Sequence, residues 1–222
     1  MAKYYKKRVF KKKVGKQARA VVKASRMLML KSVETKAFVV NNSQVLGNNQ
    51  IFSLSLTQQI AVGNTSVTRV GDSILLGSLT LSGELTAYAT IQSVKYRVIV
   101  GYTRNTVANG SSMIQGILGY GDIFYSVGTP GYLAHGVVNP QAFTALYDEM
   151  IDLNSDSAQV HLRSFYTRIN LKMSKFDYAT QGGSLGKVKN LSFVIVPLAF
   201  PFTQSAAIGE LQSIQVLKFK DP

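Results

Sequence analysis

Three neighbouring carboxylates are the first residues in the sequence that could do chemistry. Asp148, Glu149 and Asp152 lie in the run Phe143–Leu153, whose apolar and aromatic residues predict a β-strand. Paired carboxylates can act as acid and base or can bind a hard cation such as Ca²⁺. Because side chains alternate along a strand, Asp148 and Asp152 share one face and Glu149 points the opposite way. We expect a structural role, in which these acids cap a loop or bridge subunits through an arginine or a Ca²⁺ ion, rather than catalysis.

No other residues form a recognisable catalytic or metal-binding pattern. His135 and His161 are the only histidines, and neither lies near a serine or an acid in a nucleophile motif. The run Gly119–Asp122 matches a membrane aspartyl-protease motif, but no apolar run approaches the roughly 20 residues of a membrane span that this chemistry needs. The chain has no cysteine, which excludes disulfides and thiolate metal sites. We therefore predict that the chain is not an enzyme and needs no cofactor.

The positive charge of the chain is concentrated at its N-terminus. The net charge is +14, and residues 1–31 hold twelve Lys and Arg but no Asp or Glu. The other thirteen basic residues and all eleven acids lie beyond residue 31, which leaves a balance of only +2 there. A cationic block without acids favours binding to a polyanion through counterion release.

The tip of this arm, residues 3–13, mixes cations with aromatic rings. Such a mixture can neutralise phosphates and stack on exposed bases. The clusters Lys6-Lys7-Arg8 and Lys11-Lys12-Lys13 are also typical of a nuclear-localisation signal. A solvated tail without a specific partner is the alternative.

The second part of the arm, residues 16–31, predicts a short helix. Lys16, Arg19, Lys23 and Arg26 recur at steps of three and four, which places four cations on one helical face. An isolated helix of this length is marginal in water, so we expect it to form on phosphate binding or by docking. A coiled linker is the alternative. The predicted nucleic-acid-binding residues of the arm are Lys3, Tyr4, Tyr5, Lys6, Lys7, Arg8, Phe10, Lys11, Lys12, Lys13, Lys16, Arg19, Lys23, Arg26 and Lys31.

From Ser32 onward the pattern is one of strands and turns, rich in β-branched and aromatic residues. A first extended segment is predicted at Val33–Val40, followed by a polar turn at Asn41–Gln50. Eight strands are predicted after it: Ile51–Leu56, Ser73–Ala87, Ser93–Thr103, Ser111–Leu118, Phe143–Leu153, Phe165–Phe176, Leu191–Leu198 and Ser213–Phe219.

The connections between these strands are long and uneven, and no helical crossover joins them. Gly119–Gln141 is longer than an ordinary loop. Together these features favour an all-β fold, a single eight-stranded jelly roll of two packed antiparallel sheets, over a meander barrel. We divide the chain into a basic arm, residues 1–31, and a jelly-roll body, residues 32–222. Only 16% of residues are charged, which suits a surface buried against neighbours but equally a neutral, polar one.

Several short motifs of the body together resemble a known family. Arg69-Val-Gly-Asp72-Ser-Ile, followed by Tyr96-Arg97-Val-Ile-Val-Gly-Tyr-Thr103, resembles a motif pair of the capsid proteins of circular, Rep-encoding single-stranded DNA viruses. Ala142–Leu153 and Phe165–Tyr178 resemble two later strands of that family, and the order and spacing agree over residues 32–219. The arm is rich in lysine, where many relatives have arginine. Satellite plant-virus coat proteins share the layout of basic arm and jelly roll, so the choice of DNA over RNA depends on the short motifs alone.

The resemblance implies a coat protein that assembles with copies of itself into a small icosahedral shell (T=1) and packages circular single-stranded DNA. It also implies the host nuclear import machinery and a cell receptor as partners, no membrane partner, and a location in the virion and the host nucleus. The helix predicted for residues 16–31 would then form on the genome or against the shell's inner wall, and receptor contacts would lie in loops within 105–141 and 179–188.

Two other classes of protein remain as alternatives. A ribosomal-type RNA-binding protein would spread basic charge over its folded part as well, and here that part carries only +2. A cupin-like jelly-roll enzyme would need clustered histidines. Six cations of the body could assist the arm at an inner surface or form salt bridges with the body's acids: Arg97, Arg104, Arg163, Arg168, Lys172 and Lys175.

Overall fold

The computed structural model describes residues 15, 18–25, 28, 33–57, 60–103, 118–125, 133–154, 161–177, 190–200 and 207–221. Within the arm, residues 18–25 are helical, as the charge spacing predicts, and each described residue of the arm is exposed. The tip, residues 3–13, lies outside the described residues, as do Lys16, Arg26 and Lys31.

The described residues of the body form a jelly roll of eight antiparallel strands, which confirms the predicted fold class. The strands are β1 (Thr35–Gly47), β2 (Phe52–Ser55), β3 (Ser73–Ala87), β4 (Ser93–Thr103), β5 (Phe143–Asn154), β6 (His161–Asp177), β7 (Asn190–Phe200) and β8 (Ala207–Lys220). They form a first sheet in the order β1-β8-β3-β6 and a second sheet in the order β2-β7-β4-β5. Among the described residues of the body, helical structure is limited to one turn at Tyr120–Ile123 and a 3-10 turn at Leu133–His135.

The main core lies between the two sheets and follows the alternation of side chains along each strand. In β3, Leu79, Leu81 and Leu85 are fully buried and face the second sheet. Phe193 and Ile195 of β7 meet them from the other side. This is the alternation that the sequence shows in Ser73–Ala87, and it fixes which face of each sheet is left for other contacts.

The structure corrects the predicted boundaries of the first strand. The polar run Asn41–Gln50 is not a turn throughout, because β1 continues through it to Gly47 and the turn follows at 48–49. The strand persists because β1 pairs with β8 from Thr35 opposite Lys220 to Leu46 opposite Gly209. That ladder satisfies the backbone along the whole strand and outweighs the poor strand propensity of asparagine.

Three other predicted strands differ from the structure. β6 and β8 begin earlier than predicted, at His161 and Ala207, because each pairs with β3 along nearly its full length. Residues 111–117 of the predicted strand Ser111–Leu118 lie outside the described part of the chain, and Leu118 is not in a strand. The eighth strand is instead the first extended segment, which becomes β1.

Candidate assembly and nucleic-acid surfaces

The described part of the arm is an amphipathic helix. Arg19 and Lys23 are one turn apart on one side, and both are exposed. Val21 and Leu28 are two turns apart on the opposite side and are 64% and 67% exposed. Of the predicted nucleic-acid-binding residues only Arg19 and Lys23 are described, and the other thirteen lie outside the described residues. The helix therefore offers a cationic face and a separate apolar face, and its described residues are exposed on both.

The outer face of the first sheet also carries exposed apolar side chains. The register places the outward-facing Asn41, Ile214, Ser82 and Tyr166 in one row across its four strands. Ile214 is 48% exposed and Tyr166 is 70% exposed. Val39, Val45 and Leu162 on the same face are exposed as well. These apolar side chains are separated by polar ones, because the row Ser43, Gln212, Glu84 and Ser164 lies between Ile214 and the pair Val45 and Leu162.

A shallow concavity of about 650 Å³ lies in the middle of this outer face. Its outward-facing lining is mostly small and polar: Asn41, Ser43, Ser82, Glu84, Ser164, Gln212 and Ile214. The serines of β1, β3 and β6 leave the sheet surface low beside Gln212 and Ile214 of β8, so that another element can approach the backbone closely.

Two cations share this outer face with the apolar side chains. Arg168 of β6 and Lys218 of β8 are exposed, and neither forms an ion pair with a residue that the structure describes. Lys172 is likewise exposed and without an ion pair among those residues. Lys175 binds Asp177 at 2.7 Å, Arg163 donates to the Asp152 carbonyl at 3.2 Å, and Arg104 lies outside the described residues. The body cations are thus divided between salt bridges and free surface charges.

The outer face of the second sheet is covered, in contrast to that of the first. Segments 118–125 and 133–142 of the long β4–β5 connection pack on it and form a second apolar cluster, the outer cluster. Its buried members are Ile99, Leu118, Ile123, Phe124, Ala134, Phe143, Val194, Val196 and Leu198. This is why β7 is buried at every position from Asn190 to Ala199. The unusual length that the sequence shows in Gly119–Gln141 serves, in these segments, to cover a sheet.

Arg97 holds this connection against the second sheet. Its guanidinium donates to both carboxylate oxygens of Asp148, at 2.8 and 2.7 Å. It also donates to the carbonyls of Ala134 and Gly136, and it lies 5.2 Å from the ring centroid of Phe124. The planar guanidinium of arginine can donate two hydrogen bonds to one carboxylate and pack against an aromatic ring at the same time, which the ammonium group of lysine cannot do.

The three carboxylates of β5 are therefore occupied by contacts within the chain. Asp148 binds Arg97, Asp152 lies 3.7 Å from Lys95, and Glu149 accepts a hydrogen bond from Tyr147. Asp148 and Asp152 share the outer face, as the alternation predicts. Within the described ranges, no group of three His, Asp or Glu residues could hold a metal ion. Asp148 therefore binds an arginine of its own chain, and the expected bridge between subunits stays a prediction.

The other candidate motifs lie in structural positions. Gly119 donates its backbone N–H to the Asp122 carboxylate at 2.9 Å, which begins the helical turn at Tyr120–Ile123. His135 ends the 3-10 turn, and His161 begins β6. No helix in the described part of the chain is long and apolar enough to cross a membrane.

A buried ion pair near the C-terminus was not foreseen from the sequence. Lys36 Nζ lies 3.1 Å from Asp221 Oδ2 and donates to the Thr68 carbonyl at 2.9 Å. Asp221 also accepts the backbone N–H of Val70 at 2.6 Å. The two partners are 185 positions apart in the chain, and no local pattern marks them. The pair anchors the Arg69–Asp72 motif beside the last strand.

No protein-family model matches the chain, and no curated protein sequence is similar to it. Among solved structures, the chain is similar to that of the infectious bursal disease virus Gx strain, at 10% identity and a TM-score of 0.31, over 84% of this chain and 36% of that one. It is similar to the infectious bursal disease virus VP2 subviral particle at 9% identity and a TM-score of 0.30, over 84% and 37%. It is also similar to the mud crab tombus-like virus structure, at 10% identity and a TM-score of 0.32, over 86% and 84%. The chain thus spans little more than a third of the two bursal-virus chains. Sequence identities and TM-scores as low as these carry no information about the function of this chain.

Proposed function

We propose that this chain is a viral coat protein, whose jelly-roll body assembles with copies of itself while the basic arm binds the packaged genome. The observation that carries the proposal is that the positive charge lies in the arm and not in the folded body. Twelve cations and no acid lie in residues 1–31, and the body that follows carries only +2. A protein that binds nucleic acid through its folded surface would carry its charge there.

The surface of the body supports self-assembly. Large apolar side chains away from the outer face of the first sheet are exposed, among them Val62, Val70, Val137, Leu146 and Met150. A near-neutral body does not repel its own copies strongly, so apolar contacts between copies can dominate.

The finer features of the proposal come from the resemblance to capsid proteins of circular single-stranded DNA viruses. They are a small T=1 icosahedral shell, packaging of circular single-stranded DNA, and a virion location with assembly in the host nucleus. The clusters Lys6–Arg8 and Lys11–Lys13 would recruit the nuclear import machinery. A cell receptor would bind surface loops, and no membrane partner is proposed.

Electron microscopy of the purified full-length protein tests the assembly. We expect uniform closed shells, whereas dispersed monomers at high concentration would contradict the proposal and favour a ribosomal-type RNA-binding protein or a jelly-roll enzyme.

Nucleic-acid content tests the role of the arm. Replacing the twelve Lys and Arg of residues 1–31 by Gln should lower the ratio of absorbance at 260 nm to that at 280 nm in purified particles. A matched variant that exchanges the same Lys for Arg keeps the charge and should package normally. If the Gln variant encloses as much nucleic acid as the parent, the arm does not package the genome.

A further inference from the structure

Two apolar surfaces of the described chain lack a partner. One is the face of the arm helix that carries Val21 and Leu28, which are 64% and 67% exposed. The other is the outer face of the first sheet around Ile214 and Val39. Both expose large apolar side chains to water, and burying them against each other would remove both from it.

The two surfaces match in size. Residues 18–25 form a helix about 12 Å long, and Leu28 is helical as well. On the sheet, the stretch of β1 from Val39 to Val45 is about 20 Å long. The concavity beside Ile214 is about 650 Å³ in volume and is lined by small side chains such as Ser43 and Ser82, so a helix can lie low against the sheet.

The connection between the two surfaces is long enough for one chain to bring them together. Six residues separate Leu28 from Thr35, the first residue of β1. Seven Cα-to-Cα steps span up to about 24 Å when extended. Val39 lies only about 13 Å along β1 from Thr35, on an edge strand of the same sheet. The helix can therefore fold back over the sheet that its own chain forms.

The charges favour one orientation of the helix. Folding back places the C-terminal end of the helix near Lys218, which is opposite Ala37 in the register, and the N-terminal end toward Glu84. A cation near the negative C-terminal end of a helix and an acid near its positive N-terminal end are both favourable. In this orientation the cations Arg19 and Lys23 lie on the side away from the sheet.

We propose that the arm helix docks on the outer face of the first sheet of its own chain, with Val21 and Leu28 against Ile214 and Val39. Docking covers the outer face of the first sheet with a helix whose Arg19 and Lys23 point away from the sheet. The covered face is then cationic and faces the genome. The inference deepens the proposed function and rests on it for the identity of the polyanion, but the docking itself does not require nucleic acid.

Engineered cysteines test the docking, because the chain has no cysteine of its own. In the full-length protein, freed of nucleic acid with nuclease and high salt, Val21→Cys is combined with Ser82→Cys, which lies beside Ile214 in the register. The matched control combines Lys23→Cys, on the opposite side of the helix, with the same Ser82→Cys. A short bifunctional thiol reagent is added, and non-reducing gels follow the cross-linked chain.

We expect the Val21→Cys pair to cross-link within one chain about tenfold faster than the control pair, because docking raises its effective concentration. Adding Ile214→Ser to the Val21→Cys pair should remove that advantage. Equal rates for the two pairs, or no cross-linking in either, would overturn the docking. Cross-linked dimers would overturn the assignment to the same chain. Thermal unfolding of each variant, compared with the parent, verifies that the body remains folded.

The failure of this inference and of the proposed function can be told apart. Cross-linking is measured without nucleic acid, whereas packaging is measured by particle absorbance. A protein that packages its genome but fails to cross-link retains the function and loses the docked helix.

Discussion

At the scale of single residues, the body is held by a few polar contacts whose partners are far apart in sequence. Lys36 and Asp221 form an ion pair with side chains only 10% and 9% exposed. Breaking a buried pair leaves one charge without a partner, which costs far more than losing an exposed pair.

Replacing Lys36 tests this contact. We expect Lys36→Met to lower the free energy of unfolding by about 3–5 kcal/mol, because the Asp221 carboxylate stays buried without its counter-ion. Adding Asp221→Asn to Lys36→Met should restore part of the loss. In the exposed pair of Lys175 and Asp177, Lys175→Met should cost no more than about 0.5 kcal/mol. Urea unfolding measures all three, and equal losses for Lys36→Met and Lys175→Met would contradict the prediction.

Tyr96 is a second buried polar residue, and it makes stability depend on alkaline pH. Its side chain is fully buried, and its hydroxyl donates to the Thr86 carbonyl at 2.7 Å. Burial raises the pKa of Tyr96 above its ordinary value of 10.0, and the nearby Tyr88 adds to the rise. The folded chain therefore retains this proton at a pH where the unfolded chain releases it. The stability that buried, protonated Tyr96 contributes is therefore fully present below pH 10. It is lost as the pH rises above 10.

Tyr96→Phe should change this pH dependence. At pH 7 the loss of the hydrogen bond should cost about 1 kcal/mol. Above pH 10 the parent should lose up to about 1.4 kcal/mol per pH unit that the variant does not lose. The difference in stability between the two proteins should therefore shrink from pH 9 to pH 11 in unfolding titrations. A constant difference would mean that Tyr96 ionises equally in both states.

At the scale of elements, the two sheets differ in what covers their outer faces. The β4–β5 connection closes the second sheet with the outer cluster, and Arg97 fastens it through Asp148 and the carbonyls of Ala134 and Gly136. The described residues supply no such cover for the first sheet. Within the part of the chain that the structure describes, the outer face of the first sheet is thus the exposed one.

Arg97→Ala should release the β4–β5 connection. We expect a loss of about 2–4 kcal/mol in the free energy of unfolding, since Asp148 and the two carbonyls lose their donor. Hydrogen exchange should rise in residues 118–125 and 133–142 before the rest of the body. Lys95→Ala, which removes the looser 3.7 Å pair with Asp152, is the matched control and should cost about 0.5 kcal/mol or less. Unchanged exchange in the connection would show that the outer cluster holds it without Arg97.

At the scale of the whole molecule, the excess positive charge lies in the arm, residues 1–31, and the apolar core lies in the body, residues 32–222. The described helix residues of the arm are all exposed, so they form no part of the apolar core of the body. The body contains both apolar clusters and all the ion pairs of the described residues.

Deleting residues 1–31 should therefore leave the melting temperature of the body within a few degrees of the parent, as expected for a change of about 1 kcal/mol or less. The same deletion should remove most of the salt-dependent affinity for single-stranded DNA, whose logarithm falls by roughly 0.7 per neutralised phosphate for each tenfold rise in salt. Thermal scans and binding titrations at several salt concentrations measure the two effects. Unchanged affinity after the deletion would assign binding to the body.

The sequence by itself determined the fold class, the charged arm and the course of most strands. Alternation in Ser73–Ala87 and Ser93–Thr103 is a local property, because each side chain's face depends on its neighbours in the chain. The helical spacing of Arg19 and Lys23 and the shared face of Asp148 and Asp152 are local in the same way.

Only the tertiary structure decided which faces are covered and which partners meet. The extent of β1 depended on its pairing with β8, and the Lys36–Asp221 pair depended on strands that are distant in sequence. The choice between ion site and arginine bridge for Asp148 depended on the position of Arg97, 51 residues earlier. These contacts are set by sheet order and register, which no local pattern encodes, because they arise from the packing of the whole chain at once.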